Sequence, residues 1–305
     1  MRTFPSFRDV PILVVCRDRL TELSQLVTWL ETAGYRRIVL VDNASTYEPL
    51  LQYLEGTPHV TVRMTENLGH RVVWEGQVLE RIGHDDIYVV TDCDVVPDDQ
   101  CPANAVEHFA GLLLRYGDVD KVGFGLRIDD LPDCYSFKRE VQDWESQFWE
   151  REIEHGVYRA DIDTTFALYR PGTTYSINRA LRTGPPFVAR HLPWYADSAN
   201  LSEEELFYRE HMSETVGNWN RDALPPGLRL AIESRRGRAG SRETSAHAAG
   251  ALEDLEQALV DAEKRLLAEQ GRRLAAELEL DLVRQSRAYR WMKAAGSLRR
   301  RVFGD

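Results

Sequence analysis

An apolar run that ends in two closely spaced acids constrains the fold of this chain most strongly. Residues 88–91 (Y-V-V-T) are followed by Asp92, Cys93 and Asp94, and Pro97 then ends the strand. Open α/β sheets bind their ligands at the carboxyl ends of the strands. Carboxylates placed there hold a divalent cation against phosphate oxygens, because Mg²⁺ often takes only one or two carboxylates and adds phosphates. The motif therefore predicts chemistry on a nucleotide diphosphate. A solvated acidic turn is the alternative, since Asp and Pro are common in turns.

The apolar runs around this motif predict an α/β fold. Short runs occupy residues 12–16, 38–41, 60–62 and 87–91, and helical spacings separate them, including one over residues 71–82. Continuous apolar strands that alternate with helices predict a mostly parallel sheet with helices on both faces. We therefore expect a nucleotide-binding type of α/β half between residues 11 and 122.

The regularity weakens in the second half of the chain. A helix is predicted over residues 103–116 and a strand over residues 121–128. Residues 158–197 are aromatic and charged without a clear period. We interpret this half as the part that shapes a pocket for an acceptor. Ordinary packing over the sheet edge is the alternative, which aromatic side chains also do well.

Composition excludes several classes of protein. The formal net charge of −11 argues against a nucleic-acid binder, which usually carries a basic surface. The N-terminus lacks the apolar core of a secretory signal. No stretch reaches the roughly 20 apolar residues of a membrane-spanning helix. The four cysteines form no C-x-x-C pair, so reduced thiols in a cytoplasmic protein are expected.

The chain divides into a main domain over residues 1–228 and a C-terminal tail. Residues 229–250 are rich in Arg, Gly, Ser and Ala, which predicts a flexible linker. Leucine spacing over residues 251–285 predicts a helix or short coiled coil that makes homo-oligomers, or a helix that packs on its own domain. Residues 286–305 interleave basic with aromatic and aliphatic residues. Such a segment suits peripheral contact with the inner face of a membrane, and a frayed polar terminus is the alternative.

Four motifs together resemble the family 2 glycosyltransferases of the GT-A fold. They are V-V-C-R-D-R at 14–19, I-V-L-V-D-N-A-S-T at 38–46, E-N-L-G-H at 66–70 and T-D-C-D at 91–94. They occur in the family's order and at strand ends. The resemblance implies a Rossmann-like fold with a mixed, mostly parallel sheet. It also implies transfer of a sugar from a nucleotide-sugar donor to an acceptor.

The resemblance further implies roles for individual residues. The residues expected to bind the nucleotide are Cys16, Arg17, Arg19, Asp42, Asn67, Gly69 and Asp92. Asp42 would accept a hydrogen bond from the base, although Asp also caps helices and turns. The divalent cation, Mn²⁺ or Mg²⁺, would be held by Asp94, Asp92 and His191. Asp94 is the preferred direct ligand, and a histidine that only hydrogen-bonds its loop is the alternative for His191.

An inverting enzyme also needs a base that removes the proton of the acceptor hydroxyl. Asp163 and Asp161 are the candidates, because they precede an apolar, strand-like run and would share one face of an extended segment. The acids at 203–205 compete, although Ser202 before them predicts a helix cap with acids in the first turn. The chain lacks the E-D pair of many inverting relatives, which leaves the base and the stereochemistry open.

Aromatic residues of the second half are candidates for contact with sugars. The apolar C–H faces of sugars pack well on aromatic rings, so the candidates for stacking are Trp144, Trp149, Trp194 and Tyr195. Packing in the protein core is the alternative for each of them.

Two classes of function follow from these features. The first is a cytoplasmic, metal-dependent glycosyltransferase that uses a UDP- or GDP-sugar and a glycan or lipid-linked acceptor in the synthesis of a surface polysaccharide or glycolipid. The second is a non-catalytic scaffold of the same fold that assembles through its C-terminal coil. A nucleotidyltransferase is less favoured, because no Gly-rich phosphate loop follows Val15.

Overall fold

The computed structural model describes residues 6–212, Trp219 and residues 223–240. Within these residues one sheet has ten strands. The strands are β1 Ile12–Cys16, β2 Ile38–Asp42, β3 Val60–Arg63, β4 Tyr88–Asp92, β5 Val95–Pro97, β6 Lys121–Leu126, β7 Glu152–Glu154, β8 Val157–Arg159, β9 Ala167–Tyr169 and β10 Ala180–His191. The α-helices are α1 Leu20–Thr32, α2 Glu48–Gly56, α3 Val72–Glu75, α4 Val78–Arg81, α5 Ala105–Arg115, α6 Lys138–Glu145, α7 Glu203–His211 and α8 Pro226–Gly240.

The sheet is mixed and mostly parallel, which confirms the predicted fold class. Its order is β3-β2-β1-β4-β9-β6-β10-β8-β7, and β5 pairs with β10. The first four strands in this order are parallel to one another. β9 runs antiparallel to both β4 and β6, so β4 and β6 point in the same direction. β6 is in turn parallel to β10.

Helices cover both faces of the sheet, as the continuous apolar strands predict. Successive strand residues point to opposite faces. Ile12 of β1 packs in a core cluster with Leu23 of α1 and Phe109 of α5. Leu13, the next residue of β1, packs in a second cluster with Val72 of α3. Each residue of the strand therefore buries its side chain, on one face or the other.

The predicted helix over residues 71–82 is wrong in its continuity. The structure has two short helices, α3 and α4, instead. Gln77 between them has a left-handed backbone, with φ at 51°. A Cβ atom at the preceding Gly76 would lie 2.5 Å from the Val72 carbonyl oxygen. The apolar spacing predicts which side chains are buried, but it carries no sign of this backbone reversal.

The irregular second half contributes strands that the sequence does not reveal. β7, β8 and β9 have three residues each, which is too short to show a period. β10 is longer, and its pairing with β6 shifts between Thr183 and Val188. β10 also pairs antiparallel with β5. This pairing sets His191 opposite Val95, the residue that directly follows Asp94 in the sequence.

A helix occupies the first part of the range 229–250, which the sequence predicts to be a linker. This helix is α8, Pro226–Gly240. It packs Ile232 against the main domain with 1% of the residue exposed, and Arg236 pairs with Asp143 at 2.5 Å. Arg and Ala are good helix formers, so a segment poor in large apolar residues need not be a linker.

The remaining predictions for the tail lie outside the described residues. These are the rest of the linker, the coil over residues 251–285 and the basic segment over residues 286–305. Among the helices that the structure describes, none combines the length and apolarity needed to cross a membrane.

A side chain of helix α7 caps the N-terminus of α1. Ser202 caps α7 by accepting a hydrogen bond from the Glu205 amide, as predicted. Glu204 of α7 accepts hydrogen bonds from the amides of Leu20 and Thr21 at the start of α1. The residue at the N-cap of α1, Arg19, makes no side-chain cap itself. A carboxylate is favourable there, because the first amides of a helix are unpaired and carry partial positive charge.

Glu204→Ala is expected to lower the free energy of unfolding by about 1–2 kcal/mol, the cost of removing a helix cap. Urea denaturation followed by circular dichroism measures this change. Glu203→Ala is the matched control, because Glu203 is an exposed acid in the same turn of α7. Equal losses in the two variants would contradict the capping role.

Candidate active site

The predicted motifs meet at one edge of the sheet. Cys16 at the end of β1 pairs in register with Asp42 at the end of β2. Val15 pairs with Asp92 at the end of β4. Because these strands are parallel, their carboxyl ends and the loops that follow them lie side by side. This edge is where open α/β sheets bind ligands.

Asp42 caps the turn that follows β2. Its side chain is buried, and Oδ1 accepts a hydrogen bond of 2.9 Å from the Ser45 amide. Oδ2 accepts a hydrogen bond of 3.2 Å from Nε of Arg63, a residue that is partly exposed. The structure thus shows the capping role, and recognition of a base by Asp42 stays a prediction.

Asp18 joins the loops after β1 and β2, and sequence reasoning missed it. It is fully buried and has a left-handed backbone, with φ at 51°. Its Oδ1 accepts hydrogen bonds from the amides of Thr46 at 2.6 Å and Tyr47 at 2.9 Å. The available signal was an acid two residues after an apolar strand, next to the two arginines of the same loop.

Arg19 is buried and serves as the counter-ion of several carboxylates. Its Nη2 lies 2.7 Å from Oε2 of Glu205, and its Nη1 lies 3.9 Å from Oδ2 of Asp94. The guanidinium also lies 3.9 Å from the centre of the Tyr208 ring. Burial alone would lower the pKa of Arg19, but Asp94 and Glu205 raise it above its usual value. Arg19 is therefore charged and already paired with carboxylates, and its predicted contact with the nucleotide stays a prediction.

The other two residues of the predicted first loop behave differently from each other. Cys16 points into the core, where burial raises the pKa of its thiol, and its Sγ lies 3.7 Å from the Val41 carbonyl oxygen. Its side chain therefore does not line the site. Arg17 is partly exposed and donates a hydrogen bond of 3.0 Å to the carbonyl oxygen of His211. Nε and Nη1 of Arg17 are buried, so its predicted contact with a nucleotide stays a prediction.

Asn67 and Gly69 form the turn that the sequence predicts. Oδ1 of Asn67 accepts hydrogen bonds of 2.9 Å from the Gly69 amide and from Nδ2 of Asn43. Oδ1 of Asn43 in turn accepts a hydrogen bond of 2.8 Å from the Leu68 amide. Gly69 has φ at 64°, a conformation that favours glycine. Asn43, which directly follows Asp42, thus fixes this turn against the end of β2.

Asp92 lies deep in the site and is tied to the segment that precedes β9. Its amide donates to the carbonyl oxygen of Thr164 at 3.0 Å, and its Oδ2 accepts a hydrogen bond from the Thr164 hydroxyl. Burial raises the pKa of Asp92 well above its usual value, and the nearby charges of Asp94 and Asp163 raise it further. Asp163 therefore lies within electrostatic reach of the acid pair.

Asp94 and His191 come together, as the metal-site prediction requires. Oδ2 of Asp94 lies 3.6 Å from Nε2 of His191. Oδ1 of Asp94 and Nδ1 of His191 are both buried and make no hydrogen bond with any described residue. Burial lowers the pKa of His191, which keeps the imidazole neutral and able to ligate a metal.

These residues fit a divalent cation. An unpartnered carboxylate oxygen beside a neutral imidazole is a donor set that Mn²⁺ accepts, and carboxylates also suit Mg²⁺. No cluster of three potential ligands is preformed in the part of the chain that the structure describes. A metal that also binds phosphate oxygens needs fewer protein ligands. The metal-binding roles of Asp94, Asp92 and His191 stay predictions.

The two candidate bases flank the buried residue Ile162 and are both exposed. Oδ1 of Asp163 accepts a hydrogen bond of 2.7 Å from the hydroxyl of Tyr175. Asp161 instead offers its backbone carbonyl, which accepts a hydrogen bond of 2.7 Å from Nε of Arg182. Asp163 adjoins Thr164, the residue bonded to Asp92, so Asp163 is the acid that the fold brings to the site.

Lys121 supports the segment that carries Asp163, and sequence reasoning missed this residue. It is 1% exposed at the start of β6. Its Nζ donates to the carbonyl oxygens of Ser176 at 2.5 Å and Asp163 at 3.5 Å, and to the hydroxyl of Tyr169 at 3.3 Å. Burial lowers the pKa of Lys121 to about 8. A lysine within a strand that is otherwise apolar was the signal available in the sequence.

Two of the competing acids and one of the aromatic candidates have structural roles. Glu204 caps α1, and both carboxylate oxygens of Glu205 are paired, with Arg19 and with Arg209. Trp194 belongs to the core with 2% of its surface exposed, so it does not offer a face to a sugar. Trp149, in contrast, lines a cavity.

Comparisons with known proteins give distant structural likeness. Neither a protein-family model nor a curated protein matches the chain. The chain resembles a mannosyltransferase from Pyrobaculum calidifontis, solved with GDP-Man and Mn²⁺, at 16% identity over 97% of this chain and 88% of that chain, with a TM-score of 0.40. It also resembles glucosyl-3-phosphoglycerate synthase from Mycobacterium tuberculosis, at 11% identity over 53% of this chain and 57% of that chain, with a TM-score of 0.34. Likeness at these levels assigns neither a family nor an activity.

Lys121→Met is expected to remove a pH dependence of stability. The native pKa of about 8 lies below the usual value of 10.5, so between these pH values the unfolded chain binds more protons at this residue. The contribution of Lys121 to stability therefore rises with pH in that window. From pH 8 to 9.5 the free energy of unfolding of the wild type should increase by about 1–2 kcal/mol relative to the variant. Urea denaturation at several pH values measures this difference. If the free energies of unfolding of the two proteins changed in parallel with pH, the lowered pKa of Lys121 would be contradicted.

Proposed function

We propose that this protein transfers a glycosyl group from a nucleotide sugar to an acceptor hydroxyl with the help of a divalent cation. The observation that carries the proposal is the unpartnered Oδ1 of Asp94, which lies beside the neutral imidazole of His191 at a strand end. Asp92 and Asp163 are close to the same point. Two acids for a cation and a third for a proton suit displacement of a nucleoside diphosphate.

The donor would bind across the ends of β1, β2 and β4. The turn at Asn67 and Gly69 is fixed beside the capped end of β2, where Asp42 lies. Arg17 would pair with a phosphate, which a guanidinium does well, once its Nη2 exchanges the His211 carbonyl oxygen for a phosphate oxygen. Hydrogen bonds within the protein position these groups, so the proposed donor site would be preformed before a nucleotide binds.

Asp94 and His191 would hold the cation, with Asp92 as the further carboxylate. When bound, Mn²⁺ or Mg²⁺ supplies Lewis-acid stabilisation of the charge that develops on the leaving diphosphate. Neutral His191 adds no positive charge of its own, and Arg19 remains engaged by Glu205. In this proposal the protein residues orient the diphosphate, and the cation compensates most of its negative charge.

Asp163 would remove the proton of the acceptor hydroxyl. The acceptor oxygen forms a bond to the anomeric carbon while the bond from that carbon to the diphosphate breaks, and the proton passes to the carboxylate of Asp163. Tyr175 donates to Oδ1, so Oδ2 is the oxygen left for the proton. Nζ of Lys121 holds the backbone of Asp163 by donating to its carbonyl oxygen. The acceptor in this proposal is a glycan or a lipid-linked sugar of a surface polysaccharide or glycolipid.

Asp94→Asn is expected to abolish metal-dependent binding of the donor. A nucleotide sugar at about 100 times its Kd should stabilise the wild type by about 2.7 kcal/mol. The measurement is a thermal-shift panel of UDP- and GDP-sugars with Mn²⁺ and with EDTA. The matched control is Asp99→Asn, an acid of the same segment whose side chain is 90% exposed and pairs with Arg190. Stabilisation that persists in Asp94→Asn would overturn the metal-diphosphate site.

Asp163→Asn is expected to leave donor binding intact and to slow turnover by about 10²–10⁴-fold, the usual contribution of a general base. Release of nucleoside diphosphate measures turnover, and the thermal shift measures binding. Asp161→Asn is the comparison, because Asp161 is exposed in the same segment but lies farther from Thr164. A larger loss in Asp161→Asn would move the base to that residue, and release of pyrophosphate would indicate nucleotidyl transfer instead.

A further inference from the structure

A cavity of about 430 Å³ lies beside β10, apart from the acid pair. Its apolar wall includes Trp149, Pro185, Pro186 and Val188, and polar lining comes from Gln100 and Asp129. A volume of this size is typical of sites for small ligands. The proposed function assigns no role to this cavity, although Trp149 is among the residues that the sequence predicts for stacking on a sugar.

The Trp149 wall of the cavity lies on the face of the sheet from which Lys121 reaches the backbone of Asp163. Gly125 of β6 is paired in register with Val188 of β10. A Cβ atom at Gly125 would lie 2.7 Å from the Trp149 ring, so this glycine lets the indole lie on the sheet. Lys121 shares the face of Gly125, because residues at even spacing along a strand do so. Nζ of Lys121 reaches the Asp163 carbonyl oxygen on that face.

The cavity is also within reach of the proposed metal site along the chain. Asp98, which lines the cavity, follows Asp94 by four residues through β5. An extended chain of that length spans about 14 Å at most. A short oligosaccharide covers such a distance, so one of its units could lie in the cavity while another presents a hydroxyl to Asp163.

The walls of the cavity are rigid and suit a sugar ring. Trp149 is held edge-on by Tyr158, with ring centres 5.2 Å apart. The two prolines have fixed rings, so little side-chain entropy is lost when a ligand packs on them. A pyranose offers C–H groups to such surfaces and hydroxyls to the amide of Gln100 and the carboxylate of Asp129.

The charges around the cavity favour a neutral ligand over a phosphate. Arg127 is the cationic residue in its lining. The guanidinium of Arg127 already pairs with Asp98 at 2.8 Å and with Asp129 at 2.9 Å. Asp98 in addition accepts Arg190 at 2.9 Å. A lipid phosphate would therefore meet arginines that are already paired and the carboxylates that pair with them, whereas sugar hydroxyls can donate to those carboxylates.

We propose that this cavity is a saccharide subsite that binds a neutral sugar unit of the acceptor. Its role as an acceptor subsite rests on the proposed function, but binding of a saccharide there does not. Failure of the nucleotide panel and failure of saccharide binding are therefore separate results.

The test is saccharide binding to the full chain, measured by saturation-transfer NMR and calorimetry. The probes are maltose, cellobiose, mannobiose, lactose and diacetylchitobiose, with citronellyl phosphate as the lipid-phosphate probe. At least one disaccharide should bind saturably, and Trp149→Ala should weaken that binding about tenfold or more. Trp144→Ala is the matched control, because Trp144 lies on the preceding helix α6 and is not part of the cavity lining.

Gln100→Ala provides a second variant, since Gln100 is exposed and its truncation leaves the packing of the domain intact. It should also weaken the disaccharide, and circular dichroism checks that each variant is folded. The proposal is overturned if no disaccharide saturates, or if both cavity variants bind as the wild type does. Saturable binding of citronellyl phosphate that depends on Trp149, without disaccharide binding, would overturn it in favour of a lipid site.

Discussion

A buried guanidinium links the parts of the molecule that make up the site. Arg19 contacts Glu22 of α1, Asp94 after β4 and Glu205 of α7, and it lies against the ring of Tyr208. Buried carboxylates are costly unless they are paired. Without this cation, Glu22 and Asp94 would lose their charged partner, and Glu205 would keep only Arg209. The loop after β1, the acid pair and α7 therefore form one electrostatic unit.

The parallel half of the fold could be predicted from the sequence, because β1, β2 and β4 are buried on both faces and their apolar runs are continuous. β1 has the residues predicted for it, and β2 is one residue longer than predicted, because it ends at Asp42. β9 could not be predicted, since its three residues show no period and its place between β4 and β6 depends on long-range pairing. The break at Gln77 was also hidden, because a left-handed residue leaves the apolar spacing unchanged.

The same contrast holds for the site. Asp42, Asp92 and Asp94 could be found because each follows an apolar strand, and the fold then sets them at one edge. Their partners could not be found in this way. Thr164 contacts Asp92 because β9 passes beside β4, although 72 residues separate the pair. The partners of Lys121 are mostly backbone carbonyl oxygens, which the amino-acid sequence does not distinguish.

The balance of charge in the site gives the strongest reason to expect a cation. Asp92, Asp94 and Asp163 lie close enough that Asp94 and Asp163 raise the pKa of Asp92 beyond the effect of burial. Arg19 opposes this, but it is shared with Glu205. A nucleotide diphosphate would add further negative charge at the same point. A divalent cation that entered with such a ligand would offset this charge, because repulsion between like charges in a buried site is weakly screened. In the proposed function, the carboxylates would therefore couple donor binding to metal binding.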